Sequence, residues 1–154
     1  MKTARSCNFH KGQDAQAVAG WVAARIPGCE RGFGPCAALS VSEGGKILGA
    51  VVFHNYSPES DVMELSAAAE CSRWITRPVL RAVHDYVFAQ AGCQMSVMRT
   101  SEKNTQARRV VAGCGYQPFV IPRLRGRGEA EVIWTLTDDD WRKSKIYEVR
   151  HGQA

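Results

Sequence analysis

Between three alanines and a helix headed by proline, the stretch "ECSRWITRP" sets Ser72, Arg73, Thr76 and Arg77 close together. Two guanidinium forks and two hydroxyls suit the oxygens of a phosphate group. The first N–H groups of the helix that follows are unpaired, and its dipole favours negative charge. The stretch has no glycine, which a backbone phosphate cradle normally uses to turn N–H groups inward without a Cβ penalty. The expected site is therefore an anion-binding mouth assisted by side chains. The alternative is that Arg73 and Arg77 are merely solvated and that Trp74 and Pro78 only fix the helix entry.

Other reactive residue types are scattered. Cys7, Cys29, Cys36, Cys71, Cys93 and Cys114 form no CxxC pair, and His10, His54, His84 and His151 stand apart. No metal site is spelled out, and the cysteines read as reduced thiols, mostly core filling. Cys71 beside the mouth reads as a buried, inert thiol rather than an acylation site.

These residues need elements to position them. At 154 residues the chain fits one domain, 1–154, long enough to bury a core without staples. Hydrophobic content of 45% and charged content of 23% belong to a folded chain. No apolar run is long enough for a bilayer, and the N-terminus has no signal-peptide core, so the expectation is a cytoplasmic protein without a membrane partner. The net charge of +5 permits nucleic acid, a membrane surface or a phosphorylated small molecule as partner and selects none of them. The basic runs "RLRGR" and "RKSK" lack interleaved aromatic residues and read as solvated surface, which makes a nucleic-acid partner the last choice.

Along the chain, Ala15, Val18, Ala19, Val22 and Ile26 recur at helical spacing, and a helix is predicted from Gln13 to Ile26. "CAALSVSEGGKILGAVVFHNY" predicts two strands around the turn "EGG". The second arm, Lys46 to Tyr56, is apolar enough to be covered on both faces. "DVMELSAAA" is a further strand, with Val62, Glu64 and Ser66 on one face and Met63, Leu65 and Ala67 on the other. After the mouth, Leu80, Val83, Val87 and Ala91 predict a helix from Pro78 to the stop at Gly92. "QMSVMRTS" is a strand, and Ala107, Val110, Val111 and Cys114 form a helical stripe behind Asn104. "QPFVIPRL" and "EAEVIWTLT" are two more strands, and "DDDWRKS" is a short acidic-headed helix. Strands alternate with helices in the middle and pair by hairpins at both ends, which predicts an α/β fold with helices on a mixed sheet.

With these elements in place, the chain resembles the GNAT N-acetyltransferase superfamily, and in particular its phage-associated members. In "NTQARRVVAGCGY", Asn104, Ala107, Gly115 and Tyr116 occupy the places of a block typical of the family, with Val111 where a tyrosine often stands. "VMELSAAAE", "RWITRPVLRAV", "AGCQMSVM" and the ending "VIWTLTDDDWRK" add to the likeness, which covers residues 36–143. The resemblance implies a mostly antiparallel central sheet flanked by helices, and acetyl-CoA (coenzyme A) as cofactor. Leu65, Ser66 and Ala67 on the strand would lie along the pantetheine arm, the alanines at 67–69 allowing close approach. Ser72, Arg73, Trp74, Ile75, Thr76 and Arg77 would hold the phosphates, and Asn104 would reach the cofactor or cap its own helix.

The implied reaction is acetyl transfer to an amine acceptor by direct attack on the thioester. Glu64 would be the general base, since family members that use a glutamate place it on this strand; His54, with an ordinary pKa of about 6.5, and Glu70 are lesser candidates. Oxyanion donors would come from the strand backbone. Val111 cannot protonate a leaving thiolate, and Tyr116 reads as core. A thiol of pKa about 8.5 still leaves tolerably near neutral pH. The acceptor, protein or small molecule, stays open, as does a homodimer. The rival is a catalytically inactive GNAT-like binding or virion-associated protein. A phage origin would place the chain in a bacterial host cytoplasm.

Overall fold

The computed structural model describes residues 4–151. Seven strands form one sheet in the order β1-β2-β3-β4-β5-β7-β6: β1 (Arg5–His10), β2 (Cys36–Glu43), β3 (Lys46–Ser57), β4 (Val62–Ala69), β5 (Met95–Ser101), β6 (Gln117–Ile121) and β7 (Glu131–Thr137). The helices are α1 (Gly12–Ala23), α2 (Arg77–Asp85), α3 (Thr105–Gly113), α4 (Asp138–Lys143) and α5 (Lys145–His151), and α2 runs into a π-helical turn at Tyr86–Gln90. The pairs β1–β2, β2–β3, β5–β7 and β6–β7 are antiparallel, so the fold is the expected α/β arrangement with a mostly antiparallel sheet. The chain divides into two compact units, Met1–Tyr56 with Glu64–Val83, and Ser57–Met63 with His84–Ala154.

In the first unit, the predicted "EGG" turn closes the β2–β3 hairpin at the Glu43↔Lys46 pair. Gly44 and Gly45 have φ of 58° and 77°, the mirror-image turn whose twist matches paired strands and which demands positive φ at both central residues. Ala15, Val18, Ala19 and Val22 of α1 pack with Ala38, Ala50 and Val52 into an apolar cluster. Residues 49–54 of β3 are buried in succession, as expected for a strand covered on both faces.

In the second unit, Val132, Trp134 and Leu136 of β7 are buried with Val87, Phe88, Tyr116 and Trp141. Thr137 caps α4 by accepting from the Asp140 N–H at 3.1 Å, ahead of three aspartates in the first turn, where negative charge suits the helix dipole.

Several expectations need correction. β1 was not anticipated: residues 5–9 are all exposed, and their sequence lacks the apolar alternation that marks a strand. α1 stops at Ala23 rather than Ile26, because the Arg25 and Ile26 N–H groups reach back only three residues, to Val22 and Ala23, a tightening typical of helix ends. The wide turn after α2, closed by Ala91 N–H to the Tyr86 carbonyl at 2.8 Å, shifts the helical phase, so Phe88 is buried while Ala91 is only partly covered. Val110 of α3 is 44% exposed, and α5 was not foreseen. All six cysteines are free, but only Cys93 is buried, so core filling explains one of them. Among the described residues, no helix is long and apolar enough to cross a membrane, and no group of three or more His, Cys, Asp or Glu could hold a metal.

Candidate functional site

Glu64 lies on β4, on the opposite face from the buried Met63 and Leu65. Its Oε1 accepts from Asn55 Nδ2 at 2.9 Å, and its Oε2 is 3.8 Å from His54 Nε2. The same His54 nitrogen is 2.8 Å from Ser66 Oγ. Two neighbouring strands thus bring together a carboxylate, an imidazole, a hydroxyl and an amide. The alternation of β4 puts Glu64 and Ser66 on one face, and β3 delivers His54 and Asn55. Asn55 holds a φ of 49°, a left-handed conformation that asparagine tolerates better than most residues.

His54 is 5% exposed, and the Phe33 ring sits 4.7 Å from its own. Burial pushes the His54 pKa below its ordinary 6.5, partly opposed by the Glu64 carboxylate. A neutral imidazole and a carboxylate with one oxygen firmly held can accept or pass a proton. Sequence reasoning singled out Glu64, His54 and Ser66 but missed Asn55; the one signal for it was the polar "HNY" that interrupts the apolar run of β3.

At the mouth, Trp74 is 6% exposed, and its indole lies flat against Gly49 of β3. A Cβ built on Gly49 would fall 2.3 Å from Trp74 Cδ2. The indole is therefore committed to the interior, and any contact of Trp74 with a ligand would run through its backbone. Ser72, Arg73, Thr76 and Arg77 are exposed, and Ile75 is half-buried. Thr76 Oγ1 accepts from the Val79 N–H at 3.4 Å, and its carbonyl accepts from the Leu80 N–H at 2.9 Å. Pro78 has no N–H to offer, so the first turn of α2 offers few backbone donors to an anion. The burden falls on side chains.

The mouth also gains an arginine that sequence reasoning missed. Arg5 Nη1 donates to the Arg73 carbonyl at 2.7 Å, and its Nη2 is 3.9 Å from Cys71 Sγ. No local signal could have found it, because β1 itself was unread. Glu70, a lesser candidate base, is engaged by Arg25, whose Nε donates to Glu70 Oε1 at 3.2 Å. The Arg25 hydrogen bond and charge hold the Glu70 carboxyl below its usual range, which leaves it a poor proton acceptor.

The remaining sequence candidates lie in the second unit. Asn104 Oδ1 accepts from the Ala107 N–H at 3.1 Å, the capping role weighed for it. Val111 is buried and has no proton to give. Tyr116 is buried too, its hydroxyl 2.8 Å from both His84 Nε2 and Ser96 Oγ. Burial raises its pKa far above the ordinary phenol value.

The sequence matches the acetyltransferase (GNAT) domain over residues 2–117. Among curated proteins no match is found. Solved structures do match. A GNAT family protein from Desulfovibrio desulfuricans aligns over 87% of this chain and 99% of its own, with 15% identity and a TM-score of 0.67. Mutant forms of the spermidine/spermine N-acetyltransferase SpeG from Vibrio cholerae align over 91% of this chain and 98% of theirs, at 10% identity and a TM-score of 0.68. The Salmonella typhimurium protein yncA, solved with its cofactor acetyl-CoA, aligns over 87% of this chain and 94% of its own, at 15% identity and a TM-score of 0.67. At these identities the structural likeness speaks for the fold.

Proposed function

Because this chain belongs to the GNAT acetyltransferase family, we propose that it binds acetyl-CoA and transfers the acetyl group to an amine acceptor by direct attack. The carrying observation is Glu64, set on β4 with Asn55 on one oxygen and His54 near the other. The family match, over residues 2–117, spans the first unit and continues into the second as far as residue 117, which supports reading the chain as one domain.

The mouth fits a phosphorylated ligand through its side chains. Arg73 and Arg77 are exposed to solvent and carry the fork geometry that oxyanions favour. Ser72 and the backbone around Trp74 and Ile75 complete the phosphate contacts, and Thr76, occupied as a cap, orients the start of α2. Leu65, Ser66 and Ala67 present the strand backbone to the pantetheine arm. Ala67 and Ala68 are half-buried and Ala69 is exposed, so small side chains line the approach. Asn104 serves its helix first, and a cofactor contact from it stays part of the proposal.

Acetyl-CoA supplies an activated acetyl thioester. Glu64 takes the proton that the acceptor amine must lose, and Asn55 holds its carboxylate in place. Neutral His54 fixes Ser66 and keeps the carboxylate face polar. Neither Val111 nor Tyr116 offers a proton to the departing thiolate, so departure relies on the thiol's own acidity, with a pKa of about 8.5. That same observation favours the second reading, a GNAT-like binding protein that has lost catalysis.

Calorimetric titration of acetyl-CoA, followed by an acceptor screen that begins with spermidine and N-terminal peptides, tests the reading. Replacing Arg73 and Arg77 together by alanine is expected to weaken binding at least tenfold. Glu64→Gln should leave binding intact and slow turnover by about 10²- to 10⁴-fold, the range for a general base. Tight binding with no turnover on any amine would favour the binding-protein reading, and no binding at millimolar cofactor would sink both. The likeness to phage-associated members further suggests a phage-encoded protein acting in a bacterial host cytoplasm, which genomic neighbourhood would test.

A further inference from the structure

Ser66 brings a hydroxyl nucleophile to the same face of β4 as Glu64. Its Oγ lies 2.8 Å from His54 Nε2, within the hydrogen-bond reach that joins a nucleophile to its base. Direct attack by an amine gives this hydroxyl no part in the chemistry. A second pair of the same kind, His10 Nε2 and Ser40 Oγ at 2.7 Å, shows the difference that access makes. Ser40 is 2% exposed, which seals its hydroxyl from any ligand. Ser66 is half-buried and stands between Leu65 and Ala67, along which the thioester-bearing arm of acetyl-CoA is proposed to lie.

The surroundings of His54 suit proton transfer. The ring is buried with Phe33 against it, and burial holds its pKa below 6.5, so the imidazole is neutral near pH 7. In the tautomer with its proton on Nδ1, Nε2 accepts from the Ser66 O–H. Glu64 Oε2, 3.8 Å from Nε2, is beyond hydrogen-bond distance. Its charge is still near enough to favour the imidazolium that forms when Nε2 takes a proton. All of these residues belong to the first compact unit.

We propose that Ser66 is a catalytic nucleophile with His54 as its base, giving the protein a second activity: hydrolysis of acetyl-CoA through an acetyl-serine when no amine is bound. Ser66 Oγ bonds to the thioester carbonyl carbon while its proton passes to His54 Nε2. The C–S bond breaks, and the departing sulfur takes that proton and leaves as the free thiol. His54 thus supplies on this route the proton that neither Val111 nor Tyr116 offers. Water then gives a proton to Nε2 as its oxygen bonds to the ester carbonyl. The C–Oγ bond breaks, the proton returns to Ser66, and acetic acid is released. The inference rests on the acetyl-CoA reading for the identity of the thioester.

The test follows thiol release from acetyl-CoA without amine and locates the acetyl group by mass spectrometry after an acid quench. It also uses p-nitrophenyl acetate, an activated ester that needs no coenzyme A site. Wild type is compared with Ser66→Ala, Ser66→Cys and His54→Gln. An acetyl group on Ser66 is expected, and Ser66→Ala and His54→Gln should each slow hydrolysis by at least about a hundredfold. In Ser66→Cys the acetyl group should be carried by the introduced thiol. The wild-type rate should rise with pH through a value below 6.5 and level off above it, because the neutral imidazole is the base. Hydrolysis by Ser66→Ala within twofold of wild type overturns the proposal, as does the absence of acetyl at position 66 in both wild type and Ser66→Cys. Should Ser66→Ala fail to fold, the location of the acetyl group in the other two proteins carries the test. If wild type binds no acetyl-CoA, the proposed function fails, and p-nitrophenyl acetate decides separately: acetylation of Ser66 that is lost in His54→Gln upholds the pair, and any other result removes it.

Discussion

Asn55 pays in backbone strain for the position of Glu64. Its φ of 49° costs most residues roughly 1–2 kcal/mol, and the return is an amide aimed at the carboxylate. Asn55→Gly should relieve the strain but lose the hydrogen bond; Asn55→Ala loses the bond and keeps the strain. The alanine variant is therefore expected to unfold at lower denaturant than the glycine variant, and both should turn over more slowly than wild type. Equal midpoints for the two variants would show that the conformation stores no strain. His54 supplies a pH signature from the same cluster. Its folded pKa lies below 6.5 because it is buried, so at pH values between the two the unfolded chain binds a proton that the folded chain does not. Stability from this group is intact above about pH 6.5 and falls as pH drops through that window. Unfolding midpoints measured from pH 7.5 to 5 should show this slope, and His54→Gln should flatten it.

At the scale of elements, the indole of Trp74 on the bare backbone of Gly49 ties the mouth to the sheet, beside the hydrogen bond from Arg5 to the Arg73 carbonyl. Gly49→Ala would put a methyl group 2.3 Å from Trp74 Cδ2, which the ring cannot share. The substitution is expected to cost about 1–3 kcal/mol through overpacking and to displace residues 71–76. Acetyl-CoA titration should then show weaker binding even though no side chain of the mouth has changed. Loss of stability without loss of binding would mean that the mouth holds its shape independently of β3. Glycine here serves close packing rather than a turn, a use that sequence alone does not reveal.

At the scale of the whole molecule, the net charge of +5 favours encounter with a polyanionic cofactor through long-range attraction that salt screens. Raising ionic strength from about 0.02 M to 0.5 M is expected to weaken coenzyme A binding several-fold, with a smaller effect on uncharged pantetheine. Equal salt dependence for the two would argue that the arginines do not meet phosphate. The far edge of the sheet has a different character. β6 ends the strand order, with Phe119 and Val120 each 56% exposed, an apolar edge of the kind that folded chains usually blunt with charge.

The sequence by itself determined the α/β class, the hairpin at Gly44 and Gly45, the face of β4 that carries Glu64 and the Asn104 cap. Each depends on local rules: period two along a strand, positive φ in a two-residue turn, a side-chain acceptor before a helix. Tertiary structure alone decided that His54 and Asn55 meet Glu64, that Arg5 reaches the mouth and that Trp74 turns inward onto Gly49. It also decided that Glu70 is spent on Arg25. Those outcomes depend on strand register and on contacts between residues distant in the chain, which composition and spacing do not encode.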